Sequence, residues 1–315
     1  MKKFVAILLT LMLVLGMTAA YADAISDHET ATIKKVYKLI GAGTSPAETF
    51  TLEQVGNGVV KDGEAKTAPA LVTIDGAAFA EGAATGAGAN GDIIVTLPKY
   101  DTVGVYEYTL KEKIGTTAGV TYYGNDIKLV VTVVNGDNGK LRVAAVHTED
   151  EGKTKNDTFE NTYSAGTLSV SKTVTGNLGD KDKYFEFKVI LKGEDGKTYG
   201  TYAVTDGSYA TNPTSIKIGE ETTFYLKDGD TINIANLPYG VTYSVTETAA
   251  DGYTTTKSGD TGSINAASQT AAFTNTKTGS IDTGVTTESL PYVVLMGFVV
   301  LAGAALLLKR KAHNN

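Results

Sequence analysis

The chain has 315 residues, enough for two domains with separate cores. Its net charge of −7 and pI of about 5.1 argue against binding to nucleic acid, because no basic stretch inside the chain could neutralise phosphates. Cysteine is absent, which excludes disulfides, thiolate metal sites, thioesters and cysteine nucleophiles.

The N-terminus has the parts of a secretory signal peptide. Lys2 and Lys3 precede an apolar run over residues 4–15, and small residues with two A-x-A patterns follow. The apolar run is too short to span a membrane. We therefore assign residues 1–24 to a signal peptide.

Residues 25–277 contain short runs of alternating apolar residues separated by Gly, Asn and Asp turns, which is typical of β-sandwiches. No helical stripe of useful length occurs. Three strand motifs recur in the same order, which divides this segment into two copies, 25–163 and 164–277. We predict an all-β fold with two tandem β-sandwich domains.

The first motif is a strand with an inward-facing lysine. LSVSKTV (168–174) alternates apolar and polar residues, and Lys172 falls on the apolar face. In the N-terminal copy, ATIKKVY (31–37), the same alternation selects Lys35. Both lysines are therefore predicted to point into a core.

The second motif is a strand that ends in a glutamate on its apolar face. It occurs as VYEYTLKE (105–112), ending in Glu112, and as VTYSVTE (241–247), ending in Glu247. The distance from lysine to glutamate is 77 residues in the first copy and 75 in the second. The similar spacing favours a duplicated scaffold.

The third motif is Phe-x-Asn, in which the asparagine shares the face of the aromatic residue. It places Asn161 and Asn275 in the last strand of each copy, 49 and 28 residues after the glutamate. The longer segment between glutamate and asparagine in the first copy predicts an added hairpin, with strands over 127–134 and 141–146.

A lysine and a glutamate in core-facing stripes need partners, because an unpaired buried charge is costly. A buried ion pair is the simplest arrangement. Burial also lowers the pKa of a lysine and raises that of a carboxylic acid, and a neutral amine is a nucleophile. A neutral lysine amine held against a carboxamide would attack its carbonyl carbon. The carboxylic acid would donate to the developing oxyanion and help to move protons to the leaving ammonia. The predicted isopeptide bonds are Lys35 to Asn161 and Lys172 to Asn275, with Glu112 and Glu247 as the catalytic residues.

The segment 278–315 contains a polar spacer, an uncharged apolar stretch over 290–308 and a basic tail. The apolar stretch would extend roughly 28 Å as a helix and so match a bilayer core. This pattern resembles the sorting signal of sortase substrates, in which Leu-Pro-x-Thr-Gly is cleaved between Thr and Gly. Ser-Ile replaces Leu-Pro here, and a second Thr-Gly at 278–279 lies farther from the apolar stretch. We predict cleavage between Thr283 and Gly284.

Together these features resemble the two-domain, isopeptide-linked backbone pilins of Gram-positive bacteria. The resemblance runs from the signal peptide to the sorting signal. It implies collagen-adhesin B-type, immunoglobulin-like domains in a structural protein that is not an enzyme and has no cofactor or metal. It also implies a pilus-type (class C) sortase and further copies of the chain as partners, with minor pilins and peptidoglycan as others, at the cell surface.

In this family the sortase joins the threonine carbonyl of one subunit to a lysine of the next, which implies Thr283 as the donor. The acceptor usually lies shortly before the last strand of the N-terminal domain, where Lys153 and Lys155 both stand. The alternative is a cell-wall-anchored adhesin or stalk that has the same domains and does not polymerise.

Overall fold

A computed structural model describes residues 28–280, which form an all-β molecule. Within this range the only helix is a single 3-10 turn at Asp137–Gly139, and no helix is long and apolar enough to cross a membrane. The predicted signal peptide, the apolar stretch 290–308 and the Thr283–Gly284 cleavage site lie outside the described residues.

Eleven strands precede the middle of the chain. They are β1 (Thr30–Gly41), β2 (Glu48–Phe50), β3 (Leu52–Gln54), β4 (Val59–Gly63), β5 (Thr73–Ile74), β6 (Ala77–Phe79), β7 (Ala89–Thr96), β8 (Gly104–Glu112), β9 (Val120–Thr121), β10 (Ile127–Asn135) and β11 (Leu141–Glu149). The remaining strands are β12 (Thr158–Thr175), β13 (Phe185–Lys192), β14 (Thr201–Asp206), β15 (Ser215–Lys217), β16 (Glu221–Leu226), β17 (Thr231–Pro238), β18 (Thr242–Glu247), β19 (Thr254–Ser258), β20 (Thr261–Ser263) and β21 (Ser268–Thr276).

The first sandwich consists of β1 to β11 and the N-terminal half of β12. One sheet has the order β5-β7-β1-β12, with β9 on the far side of β12. The facing sheet has the order β11-β10-β8, with β3 and β4 paired to β8. Alternate residues of both sheets bury a single core, as the period of two predicts. The added hairpin is confirmed, since β10 and β11 pair around the 3-10 turn.

The second sandwich consists of the C-terminal half of β12 and β13 to β21. One sheet runs β15-β14-β17-β12-β21-β19, and the facing sheet runs β16-β13-β18-β20. Its apolar core is separate from that of the first sandwich. The fold prediction of two tandem immunoglobulin-like β-sandwiches is therefore confirmed.

Strand β12 belongs to both sandwiches. Its N-terminal half pairs in parallel with β1, and its C-terminal half pairs in parallel with β21. The predicted boundary between residues 163 and 164 lies within this strand. Gly166 allows the strand to continue at a close approach, since a Cβ there would lie 2.1 Å from the carbonyl oxygen of Ala266. The two sandwiches are thus joined by one extended strand of 18 residues.

A polar contact beside β12 also connects the sandwiches. The side-chain amide of Asn236 in β17 donates to the carbonyl of Thr44 and accepts from its N–H, both at 3.0 Å. The hydroxyl of Tyr163 donates to the same amide oxygen at 3.2 Å. Asn236 has a φ of 60°, a left-handed conformation that asparagine tolerates better than most residues.

Candidate cross-linking sites

The strand register places one lysine and one asparagine side by side in each sandwich. In the first, Lys35 of β1 lies opposite Phe159 of β12, so Asn161 is the diagonal neighbour on the same core-facing side. In the second, Lys172 of β12 lies opposite Phe273 of β21, so Asn275 is again the diagonal neighbour on the core-facing side. The repeated motif therefore produces the same geometry twice.

A glutamate from the facing sheet completes the first site. Glu112, at the end of β8, receives a hydrogen bond from Nζ of Lys35 at Oε2. Its Oε1 receives a hydrogen bond of 2.5 Å from Nδ2 of Asn161. All three residues are at most 2% exposed. The carboxylate thus bridges the amine and the carboxamide in a site closed to solvent.

The second site has the same three residue types. Nζ of Lys172 donates to both oxygens of Glu247 in β18, at 2.8 and 2.9 Å, and Nδ2 of Asn275 donates to Oε1 at 2.5 Å. The side chains of the lysine and glutamate are 0% and 3% exposed. The structure therefore brings the six residues selected from the sequence together in two groups of three.

Aromatic rings surround both amines, and no sequence motif indicated them. Nζ of Lys35 lies 5.5 Å from the ring centroid of Phe50 and 5.6 Å from that of Tyr123. Nζ of Lys172 lies 4.3 Å from that of Phe185. Burial lowers the pKa of both lysines, and the adjacent glutamates oppose this shift only in part. Lowering the pKa favours the neutral, nucleophilic amine.

The contacts of the carboxylate differ from the expected ones in one respect. We expected the glutamate to face the carbonyl oxygen of the asparagine, but Glu112 and Glu247 both contact the amide nitrogen. A carboxyl group in this position can take a proton from the amine and deliver it to the leaving nitrogen. It does not contact the oxygen on which negative charge develops.

The two candidate acceptor lysines lie in the exposed segment between β11 and β12. Lys153 has a φ of 58° and occupies a turn in which its N–H donates to the carbonyl of Asp150 at 2.9 Å. Lys155 lines a groove of about 480 Å³ together with His28 and His147, and Lys153 lines a different groove of about 450 Å³. The lysines therefore differ in backbone conformation and in surroundings.

Comparison with known proteins finds similarity to pilins and to an isopeptide containing domain. Two family models match: a Spy0128-like isopeptide containing domain at residues 32–164 and a domain of unknown function at residues 166–277. A pilin from Streptococcus pyogenes serotype M1 is 32% identical over 235 residues, which is 67% of this chain and 69% of that protein. The pilus tip adhesin Cpa of Streptococcus pyogenes is 37% identical over 129 residues, covering 38% of this chain and 18% of the adhesin. The crystal structure of the major pilin from Streptococcus pyogenes has a similar fold, with a TM-score of 0.50 at 24% identity over 81% of this chain and 100% of that one.

Proposed function

Because this chain belongs to the pilin family of Gram-positive bacteria, we propose that it is the backbone subunit of a covalently polymerised pilus, strengthened by two internal isopeptide bonds. A pilus subunit is a structural protein that acts at the cell surface. The similarity to both a pilin and a pilus tip adhesin supports assembly with copies of itself and with minor pilins. Residues 25–163 and 164–277 are the proposed domains.

The observation that carries the cross-linking proposal is the buried contact of lysine, glutamate and asparagine in both sandwiches. A buried ion pair would need only the lysine and the glutamate. In both sites the carboxylate instead also binds a carboxamide nitrogen, at 2.5 Å each time. A structural ion pair does not explain why the same third residue recurs at the same strand register, whereas bond formation requires it.

The proposed reaction needs no cofactor and no second substrate. A proton moves from the lysine to the glutamate, and the neutral amine attacks Cγ of the asparagine. The glutamate then carries a proton from the attacking nitrogen to Nδ2, the Cγ–Nδ2 bond breaks, and ammonia leaves. Amines and amides barely react in water, but fixed geometry can supply effective molarities of roughly 10⁵–10⁸ M. Each sandwich would catalyse its own bond once.

Polymerisation would use two further residues. Thr283 would supply the acyl group after cleavage before Gly284, and we propose Lys155 as the acceptor. Lys155 pairs with Glu149 in an antiparallel bridge, which holds its backbone extended. An extended segment can be recognised through its main chain by pairing with the edge of a sheet. Lys153 occupies a tight turn that presents no such segment.

The test is a blot of cell-wall extracts boiled in detergent. We expect wild-type cells and the Lys153→Arg variant to give a ladder of covalent oligomers. Thr283→Ala and Lys155→Arg should each abolish the ladder, since one removes the donor and the other the acceptor. A ladder lost only in Lys153→Arg would assign the acceptor to that residue. A single wall-bound species in wild-type cells would favour the non-polymerising stalk.

A further inference from the structure

The two sites differ at the carbonyl oxygen of the asparagine. In the first sandwich, Oδ1 of Asn161 accepts a hydrogen bond of 2.9 Å from the backbone N–H of Tyr123. In the second, Oδ1 of Asn275 is also buried, but no donor among residues 28–280 reaches it. A buried carbonyl oxygen without a donor is uncommon, because it loses hydration without replacement.

The cause is the strand that flanks each asparagine. In the first sandwich β9 pairs with β12 only at Thr162 and Tyr163, so this ladder ends before it reaches Asn161. The chain then leaves the sheet, and the N–H of Tyr123 points to the side-chain amide instead of a ladder partner. In the second sandwich β19 pairs with β21 through Asn275 itself, so its backbone stays in the ladder.

We infer that the backbone N–H of Tyr123 is the oxyanion donor of the first cross-linking reaction, an inference that rests on the proposed isopeptide chemistry. When Nζ of Lys35 attacks Cγ of Asn161, the π electrons of the carbonyl move to Oδ1, which already accepts this hydrogen bond. The donor is fixed before the reaction begins and needs no reorganisation. Glu112 contacts the two nitrogens, so the N–H stabilises a charge that the carboxylate does not reach.

The second sandwich has no such donor in the described residues, so its reaction relies on Glu247 for catalysis. Loss of one oxyanion donor slows enzymatic acyl transfer by roughly 10²–10³-fold. The first bond therefore forms before the second. A newly folded chain passes through a state in which only the first sandwich is cross-linked.

The test follows both bonds in the full chain after cell-free synthesis. Nonsense suppression introduces the α-hydroxy analogue of tyrosine at Tyr123, which exchanges one backbone N–H for an ester oxygen and keeps the ring. Samples are digested with a protease at successive times and analysed by mass spectrometry. Each bond is detected as two joined peptides whose mass is one ammonia less than the sum of the two. The matched control is the same exchange at Tyr253, whose ring packs on Phe185 and whose N–H donates to the carbonyl of Ala250 at 3.1 Å.

We expect the ester at Tyr123 to slow the first bond by roughly 10²-fold and to leave the second bond at its normal rate. The ester at Tyr253 should leave the rate of the first bond unchanged. In the unmodified chain the first bond should precede the second, and this comparison needs no variant. A Tyr123 ester that cross-links at the normal rate, or two bonds that form together, overturns the inference and leaves the isopeptide chemistry intact. An unmodified chain with neither bond overturns the isopeptide chemistry itself.

Discussion

The second cross-link, and not the first, should carry the tension in a pilus. With Lys155 and Thr283 joined to neighbouring subunits, the loaded chain enters β12 near its start. It runs along this strand to Lys172, crosses the bond to Asn275 and continues to the donor threonine. Strand β12 is already extended. The cross-link of the first sandwich lies outside this path.

Glu247→Gln tests this load path because it blocks the second bond and leaves the first. About 100 residues lie between Lys172 and Asn275, and at about 3.5 Å per residue their release would lengthen each subunit by roughly 350 Å. Glu112→Gln is the matched control and should add no such step. The assay is single-molecule pulling on sortase-linked polymers. The load path would be refuted if the two variants extended equally. It would also be refuted if wild-type subunits showed the same extension of roughly 350 Å as the Glu247→Gln variant.

Two further predictions concern stability and pH. Glu112→Gln should lower the melting temperature of the first sandwich by roughly 15 °C or more, since a bond closing a loop of about 125 residues contributes about 5 kcal/mol. Glu107→Gln, on the other face of β8, should change it little, and equal melting of both variants by calorimetry would contradict this estimate. In the pH test, freshly synthesised, denatured chain is diluted into buffers of different pH, and the rate of cross-linking is followed. The rate should rise with pH as the fraction of neutral lysine amine increases. It should level off below pH 10.5, because burial lowers the pKa of Lys35 and Lys172. A rate that keeps rising through pH 10.5 would indicate an exposed lysine.

The cross-linking residues could be predicted because a strand period of two fixes the face of every side chain. Lys35 and Glu112 interrupt apolar stripes, and the second copy repeats the pattern at similar spacing. Such an interruption is informative because a buried charge requires a partner. The same reasoning identified the extra hairpin, whose alternating strands flank a run of turn residues.

Other features leave no such pattern in the sequence. Strand β12 continues through the boundary between the two copies, and Gly166 allows it to pass close to a neighbouring backbone, which only the tertiary structure determines. The N–H of Tyr123 is a backbone donor, and every residue except proline has one, so its role depends on where β9 leaves the sheet. The difference between Lys153 and Lys155 likewise lies in local backbone conformation.

The intact mass of the full chain tests the central claim most directly. After cell-free synthesis the wild-type chain should be lighter than its sequence mass by two ammonias. The double variant with Glu112→Gln and Glu247→Gln should match its own sequence mass, because neither site can transfer the proton to the leaving nitrogen. A wild-type chain at its full sequence mass would contradict the account of both sites.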